Sequence, residues 1–236
     1  MITHDLILKL ANKYQTTEVN IRREYFQHLF LSYFYQQTQA SVIYFKGGTA
    51  LRMIYKSPRF SEDLDFSAAY SDIKPIEEAV VRALSQVEKE NVKVALIESK
   101  ETSGGYLGAI NFEDQVVLHL QISIREGDKT GRIVTIINDF VPTYTVMVLS
   151  KDELVYEKMT ALFNRQKARD FYDLYFMLRA NLVVLEKRNL LKKAHELLKA
   201  TKVNFESELK QYLPKSHWVV IRDFRSALEQ EIERFI

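Results

Sequence analysis

Apolar residues follow two spacings in the first 150 positions and one spacing afterwards. Over 5–14 and 18–35 they fall three and four apart, with Tyr25, Phe26, Leu29, Phe30 and Phe34 on the second segment and Thr16 or Thr17 placed to cap it. Two helices covering a sheet are predicted. Shorter β-rich runs follow at 42–45, 63–67, 92–97, 106–112, 115–124, 132–137 and 144–149. Between them, Gly47-Gly48 predicts a turn, 49–55 a helix ended by Pro58, and 75–90 a helix with Pro75 in its first turn. From 151 onward the spacing is helical throughout, predicting helices over 151–165, 168–179, 182–199, 204–213 and 218–235.

Charge changes at the same point. Residues 1–150 carry 16 basic and 18 acidic side chains, and residues 151–236 carry 17 and 13. Two lobes are expected, 1–150 and 151–236. The whole chain has a formal charge of only +2, so any nucleic acid must be held locally rather than by bulk attraction. With 47% hydrophobic and 27% charged residues, the composition excludes a disordered or low-complexity chain. The absence of Cys removes disulfides, thiolate metal sites and cysteine nucleophiles together. No apolar run approaches roughly 18 residues, and the first residues lack a leader pattern. The expectation is a soluble, cytoplasmic protein without a membrane partner.

The densest chemistry lies in Phe45-Lys46-Gly47-Gly48-Thr49-Ala50-Leu51-Arg52 and in Arg59-Phe60-Ser61-Glu62-Asp63-Leu64-Asp65-Phe66. A strand, two glycines and a hydroxyl opening a helix let backbone N–H groups approach an anion, and phosphate suits that place. Asp63 and Asp65, two apart on a strand, project from one face, with Leu64 and Phe66 on the other. Adjacent carboxylates repel unless a cation joins them, and hard oxygen ligands favour Mg²⁺ or Mn²⁺. Taken singly, Gly-Gly is an ordinary tight turn, and an Asp-x-Asp pair is a solvated strand edge or a partner for Arg52 or Arg59. Their order and spacing together resemble the metal-binding element of the polymerase-β-like nucleotidyltransferase superfamily.

A second constellation follows position 150. Ser150-Lys151-Asp152-Glu153 has the form of a capping box. On the helix it opens, Leu154, Lys158, Ala161, Leu162 and Arg165 share one side, so Lys158 and Arg165 flank an apolar stripe and need anionic partners. A nucleotide triphosphate is one candidate. Asp170 or Asp173 is the intramolecular alternative.

With both elements in view, the chain resembles the AbiEii-like (AbiEii/AbiGii) toxin nucleotidyltransferases of abortive-infection and toxin–antitoxin systems. The two segments above carry the resemblance, together with Glu157-Lys158-Met159-x-Ala161-Leu162 and Arg165-x₃-Arg169-Asp170-x-Tyr172-Asp173-Leu174. It implies an α+β fold: a mixed-sheet nucleotidyltransferase lobe with flanking helices, followed by a C-terminal helical lobe that completes the nucleotide cleft. It also implies that Gly47, Gly48, Thr49, Arg59, Ser61, Lys158 and Arg165 bind nucleotide, with Gly48 and Thr49 on its phosphates. Asp63 and Asp65 would hold Mg²⁺ or Mn²⁺, Lys158 would neutralise the triphosphate, and Asp170 would orient Lys158 or the acceptor. The implied reaction transfers a nucleotide from an NTP to RNA, with the tRNA acceptor end leading, releases pyrophosphate and blocks translation. A separately encoded antitoxin is the implied partner.

One departure stands out. Superfamily members usually carry a third carboxylate on a later strand, and here that strand places Gln121, with His119, Ser123 and Arg125, on one face. A neutral amide accepts no proton. Two carboxylates suffice, or Glu126 or another acid substitutes, or the chemistry differs. His28, His195 and His217 read as surface or satisfied core residues. The run Lys187-Arg188, Lys192-Lys193, Lys199 and Lys202 reads equally as a solvated face or a phosphate track.

Overall fold

The computed structural model describes residues 2–70, 72–113, 115–124, 129–183 and 188–236. Two compact units result. One comprises Met1–Lys56 and Phe60–Ser150, the other Ser57–Arg59 and Lys151–Ile236. The short segment Ser57–Arg59 thus goes with the helical unit, because the Arg59 side chain is consumed there.

The first unit opens with α1 (His4–Lys13) and α2 (Glu18–Phe34), capped by the Thr3 and Thr17 hydroxyls, which accept from the N–H groups of Leu6 and Asn20. After a 3₁₀ turn come β1 (Ile43–Lys46), α3 (Gly47–Tyr55), β2 (Leu64–Ala68) and α4 (Lys74–Lys89). Strands β3 (Val94–Thr102), β4 (Gly105–Phe112), β5 (Val116–Ile124), β6 (Gly131–Ile136) and β7 (Tyr144–Leu149) complete a mixed seven-stranded sheet in the order β3-β4-β5-β2-β1-β7-β6. The pairs β2–β5 and β1–β7 are parallel; the others are antiparallel. This is the expected α+β architecture.

Alternation decides which face is covered. Along β5, Val116, Leu118, Leu120 and Ile122 are buried while Val117, His119 and Gln121 are exposed. The buried side packs under α2: Phe26 stacks on Phe112 at 4.7 Å and Phe34 meets Phe66 at 5.4 Å. Leu64, Phe66 and Ala68 of β2 point to that core, so Asp65 points to the opposite face.

Two expected boundaries moved in this unit. Gly47 and Gly48 already belong to α3 instead of forming a separate turn. Strand β3 runs past 97 because a bulge between Leu96 and Glu98 interrupts its alternation, and the sequence pattern fades at that point.

The second unit contains α5 (Lys151–Arg165), α6 (Ala168–Arg179), α7 (Arg188–Ala200), α8 (Phe205–Leu209), α9 (Trp218–Arg222) and α10 (Phe224–Glu233). The helix expected over 218–235 breaks at Asp223 (φ −122°, ψ 41°). The break sets Phe224 into an aromatic cluster with Phe205 at 4.9 Å, Tyr175 at 5.5 Å and Tyr172 at 5.7 Å. The helix expected over 204–213 shortens to α8, followed by a 3₁₀ turn ahead of Pro214. The start expected at 182 falls partly on residues 184–187, which lie outside the described ones, as does Lys187. Among the described residues, no helix is long and apolar enough to cross a membrane.

Candidate active site

Backbone geometry at the β1–α3 junction explains the glycine pair. Gly47 adopts φ +80°, a left-handed conformation that costs other residues, and a Cβ there would overlap the Asp65 carboxylate, reaching within 2.8 Å of its Cγ. Both the conformation and the close approach therefore demand glycine. Gly48 is buried in the first turn of α3. Lys46, which precedes it, is the antiparallel register partner of Asp65.

Asp63 and Asp65 are both partly buried, Asp63 one residue ahead of β2 and Asp65 within it. Among the described residues, no cation or hydrogen-bond donor pairs with the Asp63 carboxylate. Asp65 is the parallel register partner of Gln121, so the amide stands directly beside it on the sheet. Glu126 and Arg125 lie outside the described residues.

The residues around Asp63 are fixed by side chains rather than by a strand ladder. The Thr49 hydroxyl, 1% exposed, donates to the Asp63 carbonyl at 2.5 Å. It is thus turned towards the protein, and the phosphate contact implied by resemblance does not use the hydroxyl as it stands. Gln27 on α2 donates through Nε2 to the carbonyls of Ser61 at 2.9 Å and Glu62 at 3.1 Å. Arg23 pairs with Glu62 at 3.3 Å. Arg52 forms a two-pronged pair with Glu24 at 2.7 and 3.0 Å, and its guanidinium lies 3.5 Å over the Phe60 ring.

The second unit holds the cations. Asp173 on α6, 1% exposed, accepts from Arg59 Nε at 2.8 Å and Nη2 at 3.0 Å, and from Lys158 Nζ at 2.7 Å. Burial alone would raise the Asp173 pKa, but the two cations outweigh it and hold the carboxyl below its usual range. Burial works against the charge of Arg59 in turn, and Asp173 overcomes this and raises its pKa. Asp170, also buried, accepts from Arg165 Nη2 at 2.6 Å and from the Lys167 backbone N–H at 3.2 Å, closing the start of α6. Both cations have intramolecular partners, Lys158 with Asp173 rather than Asp170, and Arg165 with Asp170. Spacing along α5 and α6 puts both carboxylates within reach; the packing of α5 on α6 selects between them.

The remaining candidates are dispersed. His28 is buried, with Nδ1 2.8 Å from the Tyr144 hydroxyl; burial, with Arg52 and Lys56 adding to it, lowers its pKa to about 3. His119 is exposed. His195 lies 2.8 Å from Glu229 and, with Glu233, forms the one described group of three His or acidic residues whose ligand atoms approach within 4.8 Å. Lys192, Lys193 and Lys199 are exposed on α7, with Lys199 paired to Glu229.

The donor types at Asp63 and Asp65, two carboxylates two residues apart, the second packed against a glycine, fit a hard divalent cation. Sequence reasoning singled out these two residues and passed over Gln27, whose amide holds the carbonyls just before Asp63. Its only signal is a polar residue inside the aromatic run from Tyr25 to Phe30.

Comparison with solved structures places the same fold in two Helicobacter pylori proteins. One, described as a candidate nucleotidyltransferase, aligns with a TM-score of 0.58 at 19% identity over 93% of this chain and 99% of its own. The other, JHP933, aligns with a TM-score of 0.56 at 19% identity over 93% and 95%. No curated protein matches significantly. The family described as "Nucleotidyl transferase AbiEii toxin, Type IV TA system" matches residues 29–235, which include the glycine pair, both aspartates, Lys158 and Asp173. With most of its length matched, this chain belongs to the AbiEii family of nucleotidyltransferase toxins of type IV toxin–antitoxin systems.

Proposed function

We propose that this toxin transfers a nucleotide from an NTP to RNA, with the acceptor end of tRNA as the leading substrate, and thereby blocks translation until a separately encoded antitoxin counters it. The acceptor hydroxyl attacks the α-phosphorus, the bond from that phosphorus to the α–β bridging oxygen breaks, and pyrophosphate leaves with the electron pair. Such displacement needs positioning and charge neutralisation more than covalent catalysis. Asp63 and Asp65 would hold Mg²⁺ or Mn²⁺, which when bound supplies charge neutralisation at the phosphates.

The observation that carries the reading is the Asp65 carboxylate packed against Gly47, on the face of β2 opposite its buried residues, with partly buried Asp63 one residue ahead of the strand. Gly47 and Gly48 open α3, where the first N–H groups of a helix have no partner within it and favour an anion such as phosphate. The Lys158 ammonium, which the family resemblance assigns to the triphosphate, donates to Asp173 at 2.7 Å. Arg59 and Asp173 fix its position, and Asp170 does the same for Arg165. Incubation with α-³²P-labelled NTPs, Mg²⁺ and total tRNA should label RNA; no label with any NTP would refute the proposal.

Gln121 beside Asp65 favours one second reading, a nucleotide-binding module without turnover. In that case NTP binds without pyrophosphate release, and Gln121→Asp gains activity. Labelled protein in place of labelled RNA would redirect the acceptor assignment.

A further inference from the structure

Residues Phe60 to Asp63 belong to no helix or strand, yet three consecutive carbonyls in this stretch each receive a side-chain donor. Gln27 spans the first two with a single amide nitrogen, and Thr49 takes the third. Burying a glutamine in the segment of Tyr25, Phe26, Leu29 and Phe30 is costly unless its polar atoms are paired, and at 2% exposure its Nε2 is used by these two carbonyls. The peptide planes on either side of a residue set the direction of its Cα–Cβ bond, so carbonyls held at 62 and 63, with 61 steadying the approach, aim the Asp63 side chain. Phe60 anchors the other end of the stretch, buried among Ile7, Leu10, Ala11 and Ile21.

We infer that Gln27, together with Thr49, is a positioning residue for the Asp63 carboxylate, holding it in the orientation that accepts a divalent cation. This rests on Asp63 being a metal ligand, as proposed above. Neither side chain touches the metal in this scheme. Their contribution is to remove the need for the loop to order itself when a cation arrives, and outer contacts of this kind typically govern about 10–100-fold in metal affinity.

The test is an Mn²⁺ titration of the metal-free protein, followed by electron paramagnetic resonance. Gln27→Met keeps the volume of the side chain and removes its donors, and should weaken Mn²⁺ binding by about tenfold or more. Thr49→Val should do the same, and Thr49→Ser, which restores the hydroxyl, should recover most of the loss. Val87→Ala, at a fully buried site on α4, serves as a control of similar thermal destabilisation and should leave Mn²⁺ affinity within about twofold. In the transfer assay of Gln27→Met, the Mg²⁺ concentration for half-maximal rate should rise while the rate at saturating Mg²⁺ largely returns.

Gln27→Met binding Mn²⁺ like the wild type, or losing no more than Val87→Ala, overturns the inference. So does Thr49→Ser failing to rescue, which decides the matter even if Gln27→Met does not fold. Wild-type protein that binds no Mn²⁺, or Asp63→Asn that binds it unchanged, overturns the metal assignment itself and this inference with it.

Discussion

Two pairs of aspartates, one in each unit, meet opposite surroundings. Asp170 and Asp173 are buried on α6, and each is occupied by the protein's own cations, Arg165 for one and Arg59 with Lys158 for the other. Asp63 and Asp65 are only partly buried at the start of β2, and among the described residues nothing pairs with Asp63. A buried carboxylate must be matched by fixed charge or it would lose its own. Asp63, partly exposed, can remain charged in water and be matched later by something that diffuses in. The first arrangement supports the fold; the second is suited to chemistry.

That contrast can be broken directly. Asp63→Asn should cut transfer by about 10³-fold or more, roughly 4 kcal/mol in the barrier, while unfolding in urea changes by less than about 0.5 kcal/mol. Asp173→Asn should act on the fold instead: Arg59 and Lys158 would be left without their carboxylate, at a cost of about 3–5 kcal/mol in unfolding free energy, and transfer would fall only through the loss of Lys158's fixed position. If Asp63→Asn destabilised the fold as much as Asp173→Asn, the two pairs would not differ in role.

A smaller effect separates glycines in the same way. Gly47→Ala combines a positive φ with overlap on Asp65 and should cost about 2 kcal/mol along with most of the activity. Gly104→Ala, whose added Cβ would meet nothing within 4 Å, should change neither beyond about 0.5 kcal/mol.

Much of this was legible in the sequence, for reasons that also mark its limits. α5 and α6 begin and end where the apolar spacing places them, because each is a single amphipathic helix interrupted at Gln166 and Lys167. The aspartates and glycines lie in two short contiguous segments, and neighbours two or four residues apart have a fixed relation within an element. The choice of Asp173 over Asp170 for Lys158 depends on how two helices pack, which spacing leaves open. Gln27 acts on carbonyls 34 and 35 residues away, and a lone polar residue on a helix resembles a solvated position until its burial is known. The break at Asp223 serves the packing of Phe224, a tertiary demand that overrides a continuous helical pattern.

A further effect, confined to acidic solution, concerns pH and centres on His28 in the first unit. His28 is held neutral, with a pKa of about 3 against about 6.5 when exposed, so below that upper value the unfolded chain binds the extra proton. Its contribution is therefore present above pH 6.5 and is lost as pH falls towards 3, at up to about 1.4 kcal/mol per pH unit. Asp173, whose pKa is also lowered, loses its contribution in the same direction at pH values below the ordinary carboxylate range. His28→Gln should flatten the dependence of unfolding free energy on pH between about 6 and 4 by roughly one proton's worth. An unchanged slope would mean that His28 is not the group held neutral there.

The most direct test of the central claim compares wild type with Asp63→Asn, both shown to be folded by thermal unfolding, given total tRNA, Mg²⁺ and each NTP labelled in turn at the α- or the γ-phosphate. The account predicts α-label on RNA with release of pyrophosphate for the wild type and none for Asp63→Asn. Label from the γ-phosphate, or equal α-labelling by Asp63→Asn, would contradict it.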